Sequence, residues 1–103
     1  MNWQGLQVLM TFDLAERLGV SKHHLLRNFA RHRHMMTEGV HYFVLSGTAL
    51  YEWKDIYAKG LHTAVCIVWT EKGAYYLMQT FRAPRVKANY IERVFPYFWE
   101  GRQ

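Results

Sequence analysis

The stretch Ser21 to His34, SKHHLLRNFARHRH, carries Lys22, Arg27, Arg31, Arg33 and four histidines, at 23, 24, 32 and 34, and no acidic residue. Guanidinium groups can fork onto phosphate oxygens or onto the O6 and N7 of guanine, and an asparagine amide can pair with adenine. On a helix turning about 100° per residue, Leu25, Leu26 and Phe29 fall on one side. His23, His24, Arg27, Asn28 and Arg31 lie around the other. One stripe can dock on a core while the opposite stripe meets a polyanion. Arg27 and Arg31, one turn apart, and Asn28 are the candidates for base contact; Lys22, His23, His24, Arg33 and His34 complete the expected DNA-contacting set.

Other chemistries fit less well. The pairs His23–His24 and His32–His34 diverge around a helix, with no cysteine or carboxylate at ligand spacing, so no metal is expected. Cys66 lies in the apolar run AVCIVW and reads as a buried small hydrophobe. No serine sits in a glycine-framed elbow, and TEKG at 70–73 lacks the glycines that would expose several backbone N–H groups to a phosphate. No catalytic residue and no cofactor is expected, and the chain reads as a binding protein, not an enzyme.

Several elements must position the basic stripe. LQVLM (6–10) reads as a strand, after which Thr11 can cap a helix through Leu18 that stops at Gly19. Ser21 caps the basic helix, reached after only Gly19 and Val20, a spacing suited to a helix-turn-helix. HYFVL (41–45) and AVCIVW (64–69) read as strands flanking a helix within residues 48–60. Thr70 caps a further helix, and Pro84 opens a last one that Pro96 should end.

With 103 residues, half of them hydrophobic, the chain has the size of one domain, taken as residues 1–103, and can bury a core without disulfides. The net charge of +5 and pI near 9.6 allow nucleic acid, an acidic membrane or an acidic protein as partner. The charge sits mostly in residues 21–34, on a helix whose leucines its own core should consume, which disfavours the membrane. The N-terminus lacks a signal-peptide pattern, and a cytoplasmic location is expected.

The block VLMTFDLAERLGVSKHHLLRNFARHRHMMTEGVHYFVLSGTAL, followed by VWTEKGAYYLMQTF, resembles the ORF-six N-terminal domain of phage antirepressors, which is related to the KilA-N and BRO-N DNA-binding domains. The resemblance runs from about Leu6 to Phe98 and rests on RNF (27–29), EGVHYFVLSG (38–47) and WTEKGAYYL (69–77) in that order. It implies an α+β fold: a single small domain with a helix-turn-helix, a short antiparallel sheet and C-terminal helices. It also implies binding of double-stranded DNA in phage transcriptional regulation, within a bacterial cytoplasm. A host or phage repressor protein is the alternative partner. One basic helix can neutralise about three or four phosphates, which implies a log–log salt slope of about −3. Tight binding therefore calls for a homodimer, for which Phe95, Tyr97, Phe98 and Trp99 offer an aromatic surface; the same residues could instead pack on their own core.

Overall fold

The computed structural model describes residues 1–101. Two short strands, β1 (Asn2–Trp3) and β2 (Leu6–Gln7), form an antiparallel hairpin with Trp3 opposite Leu6. The single strand predicted over residues 6–10 is thus divided. β2 closes the hairpin, while β3 (Leu9–Met10) joins a second sheet of order β3-β5-β4. There β5 (Val65–Trp69) is central and antiparallel to both β3 and β4 (Tyr42–Ser46).

Both faces of this sheet are covered. Ile67 and Trp69 of β5 pack into one apolar cluster with Leu14, Leu25 and Phe29, whereas Cys66 and Val68 pack into another with Leu50 and Trp53. A strand that alternates between two cores needs apolar residues at every position, which is why AVCIVW shows no polar alternation. Helix α3 (Gly47–Tyr57) links β4 to β5 and covers the second face.

The remaining helices are α1 (Thr11–Leu18), α2 (Lys22–His32), α4 (Glu71–Gln79), α5 (Pro84–Asn89) and α6 (Phe95–Glu100). Two caps form as the sequence predicts: Ser21 Oγ accepts the His24 N–H at 3.0 Å, and Thr70 Oγ1 accepts the Gly73 N–H at 3.2 Å. Each supplies an acceptor for one of the backbone N–H donors that a helix start leaves unpaired. Gly73 has a second role, because a Cβ there would collide with the His41 carbonyl oxygen, so α4 can approach the residue leading into β4 only without a side chain at that point. Together the elements make an α+β fold with short antiparallel sheets and C-terminal helices, as expected.

Two expectations fail. Thr11 does not cap α1: it is the first helical residue, and its buried hydroxyl donates to Ile67 O at 2.8 Å and accepts from Trp69 Nε1 at 3.0 Å. The hydroxyl is thus taken up by the buried Trp69 indole and a sheet carbonyl, and none of it is left for the helix start. Nor does Pro96 end the last helix. Between α5 and α6 the chain widens into a π-helical segment, Tyr90–Val94, in which the Phe95 N–H reaches back five residues to the Tyr90 carbonyl. The wider turn alters the backbone just before a residue that has no N–H to give and whose ring would crowd the preceding turn. No helix among the described residues is long and apolar enough to cross a membrane.

Burial pushes the Cys66 thiol above its ordinary range, against the opposing pull of the Lys22 and Lys54 cations. Less thiolate and restricted access both slow reaction. Alkylation by iodoacetamide is therefore expected to be slow in the native protein and to accelerate sharply in denaturant; equal rates in the two states would contradict the buried placement.

Candidate nucleic-acid interface

α2 is anchored from below by aromatic packing. Leu25 and Phe29 are buried, and the Phe29 ring meets Tyr42 and Trp69 edge-on, each at a centroid distance of 4.9 Å. Its start is fixed by the turn from α1, where Gly19 adopts φ 76°, a left-handed conformation open to glycine at little cost. Three residues four apart in the C-terminal helical run then bond to carbonyls at the end of α1. Arg85 Nη1 donates to Gly19 O at 2.6 Å, Asn89 Nδ2 to Leu18 O at 3.0 Å, and Arg93 Nη1 to Glu16 O at 3.2 Å. Arg17 returns the contact, donating to Arg93 O at 2.8 Å.

On the free side of α2, His23, Arg27, Ala30 and Arg31 are exposed, and His34 in the following 3-10 turn (Arg33–Met35) continues their stripe. Lys22 is exposed at the first turn, toward Cys66. Arg33 is solvent-accessible but held over the Phe29 and Tyr42 rings, 5.2 and 5.7 Å from their centroids, where a cation meets the negative ring faces. His24 is half-buried, edge-on to Phe81 at 4.7 Å.

Asn28 departs from its expected role. Its side chain is buried, and Nδ2 donates to Thr80 Oγ1 at 2.9 Å, so the amide expected to pair with adenine is engaged inside the protein. On the helical wheel Asn28 lies at the margin between the polar and apolar stripes, and the segment after α4 covers that margin.

That segment brings in cations that the sequence reading passed over. A cleft of about 610 Å³ separates α2 from residues 80–86; Arg31, His24 and His32 line one wall and Arg82 and Arg85 the other. No acidic residue lines it. The motif RAPR (82–85) was the available signal, two arginines three apart outside the main basic run.

The tail aromatics divide. Phe98 belongs to the core, which removes it from the expected intermolecular surface. Tyr97 is half-buried; its hydroxyl donates to Val8 O at 2.7 Å and accepts from the N-terminal ammonium at 3.1 Å, and Arg17 lies 4.8 Å from its ring centroid. Burial raises its phenol, although a bond with Gln7 and the Arg17 charge pull the other way. Phe95 and Trp99 are exposed and stacked on each other at 6.1 Å.

A basic helix held by its apolar side and by its leading turn, beside a sheet covered on both faces, makes this a small α+β domain with an exposed cationic stripe on α2. The chain belongs to the ORF6N domain family, a phage-type regulatory family whose model matches residues 1–80. The match includes the β1–β2 hairpin and ends after α4, so the C-terminal helices that carry Arg85, Asn89 and Arg93 lie beyond it. No match was found to a curated relative or to a solved structure.

Asn89→Ala removes the donor from the Leu18 carbonyl and is expected to cost about 1 kcal/mol, the typical worth of such a bond. Urea denaturation measures it; an unchanged midpoint would show that the turn does not depend on this contact.

Proposed function

We propose that this protein binds double-stranded DNA in phage-type transcriptional regulation, with α2 lying in the major groove as the second helix of a helix-turn-helix. The observation that carries this reading is the exposed, acid-free stripe of His23, Arg27, Arg31 and His34 on a helix whose opposite side is fixed in the core. Arg27 and Arg31 supply forked donors for guanine edges or phosphates, and the Ala30 methyl between them suits contact with a thymine methyl. Lys22 and Arg33 flank the stripe and add to the positive field. The protein acts as a binding module without catalysis, in the cytoplasm of a bacterial host.

Arg27→Ala and Arg31→Ala are each expected to weaken duplex binding by about 1–3 kcal/mol where the arginine makes a bidentate base contact, and less where it touches only phosphate. Both side chains are exposed, so the unfolding midpoint should stay at the parent value. Fluorescence anisotropy across a salt series reads the effect; parental affinity in both variants would overturn the assignment of α2 as the reading helix.

The modest charge of one stripe calls for two copies on paired half-sites, roughly 34 Å apart. The stacked Phe95–Trp99 pair, one turn beyond exposed Ile91, supports a homodimer formed through the last helices. Light scattering is expected to give twice the chain mass for the free protein, and twice the chain mass plus that of one duplex for the DNA complex. A monomer in both, with capture of one host or repressor protein after nuclease treatment, would select the protein-docking alternative instead.

A further inference from the structure

We infer that the cleft between α2 and residues 80–86 seats a phosphate of the DNA backbone, with Arg82 and Arg85 as its outer clamp. The inference rests on the placement of α2 in the major groove and adds to it the position of one DNA strand. An α-helix with its side chains is about 10–12 Å across, and the major groove is about 12 Å wide. A helix therefore fills the groove, and whatever stands beside it on the protein faces the phosphates of a bordering strand. Here that neighbour is the 80–86 segment, and Arg31 belongs both to the exposed stripe and to the cleft wall, so the two surfaces are continuous.

The cleft has the chemistry of a phosphate seat. Arg31, Arg82 and Arg85 are exposed at its rim, with His24 and His32 half-buried in the α2 wall and no carboxylate among the lining residues. Cations of like sign brought to one cleft repel one another, and an anion between them relieves that repulsion. A phosphodiester offers one charge and two unshared oxygens, a match for a guanidinium fork. Arg85 uses Nη1 on the Gly19 carbonyl, which holds its guanidinium in place, and five N–H donors on that group leave others for a ligand.

The base of the cleft is rigid as well. Asn28 Nδ2 bonds to Thr80 Oγ1, and that hydroxyl donates to Leu77 O at 2.6 Å, so the buried asparagine ties the two walls together. The residue expected to read adenine instead sets the spacing of a backbone clamp. Such a clamp orients the domain on the duplex and carries no base preference of its own.

The test uses Arg82→Ala, which leaves the Arg85–Gly19 bond in place, with mixed-sequence duplex DNA as probe. Anisotropy titrations of parent and variant over a range of salt are run beside thermal unfolding by circular dichroism. The expected result is weaker binding to all duplexes alike, a log–log salt slope shallower by about 0.9 for the lost phosphate, and an unchanged unfolding midpoint. Parental affinity and slope in Arg82→Ala, while Arg27→Ala still weakens binding, would overturn the clamp and leave the α2 reading intact. A parent that binds no duplex would overturn both. Pyrophosphate supplies a further arm: if it saturates the parent and not the variant while DNA affinity stays unaltered, the cleft holds a free anion and not the DNA backbone, and the inference fails.

Discussion

The end of an α-helix leaves backbone carbonyls without partners, and the rest of this structure depends on how those of α1 are met. Gly19, Leu18 and Glu16 receive donors from Arg85, Asn89 and Arg93, three residues spaced by four along the C-terminal helical run. Tyr97, four residues further on, continues the series by bonding to Val8 O. In a regular α-helix, a spacing of four drifts by about 40° per step, so a long series would wander off one face. The π segment Tyr90–Val94 takes up more residues in its turn and offsets part of that drift. One irregularity thus serves both the proline at 96 and the alignment of the donors against α1.

The consequence for α2 is positional. Ser21 caps it, Gly19 turns into it, and Arg85 and Asn89 hold the turn from outside, so its direction is set before its own packing is counted. Phe29, wedged between Tyr42 and Trp69, then sets its rotation about its axis. Trp69 is held in turn by its bond to Thr11 at the start of α1. Both ends of α1 are therefore tied, one to the sheet and one to α5 and the π segment, and the stripe His23–Arg27–Arg31 is presented by a scaffold with little freedom to turn it. Rigid presentation of this kind lowers the ordering cost of binding.

The same network assembles the cationic surface from two parts of the chain. The stripe on α2 lies within the residues that match the ORF6N domain, while Arg82 and Arg85 lie just beyond them. The C-terminal helices consequently do two things: they hold the α1–α2 turn, and they bring a second set of cations to the side of α2. Arg85 takes part in both, which links the stability of the turn to the electrostatics of the cleft.

What the sequence determined by itself is what depends on neighbours along the chain. The caps at Ser21 and Thr70, the stop at Gly19, the two longer strands and the apolar stripe of α2 all follow from side chains a few residues apart, and each was legible. Partners distant in sequence decided the rest. Thr11 looked like a cap until the Trp69 indole, 58 positions later, required its hydroxyl. Asn28, at the edge of its stripe, turned inward because Thr80 covers that edge, 52 positions along. Phe98 filled the core while Phe95 and Trp99 stayed outside, a division that the rotation of the last helix settles and that aromatic content cannot reveal. The motif RAPR showed two arginines but not where they lie, since only the fold lays residues 80–86 beside the basic helix. Local pattern fixes which face of an element is polar; a polar residue at the border of that face is assigned by whatever tertiary neighbour satisfies its hydrogen bonds.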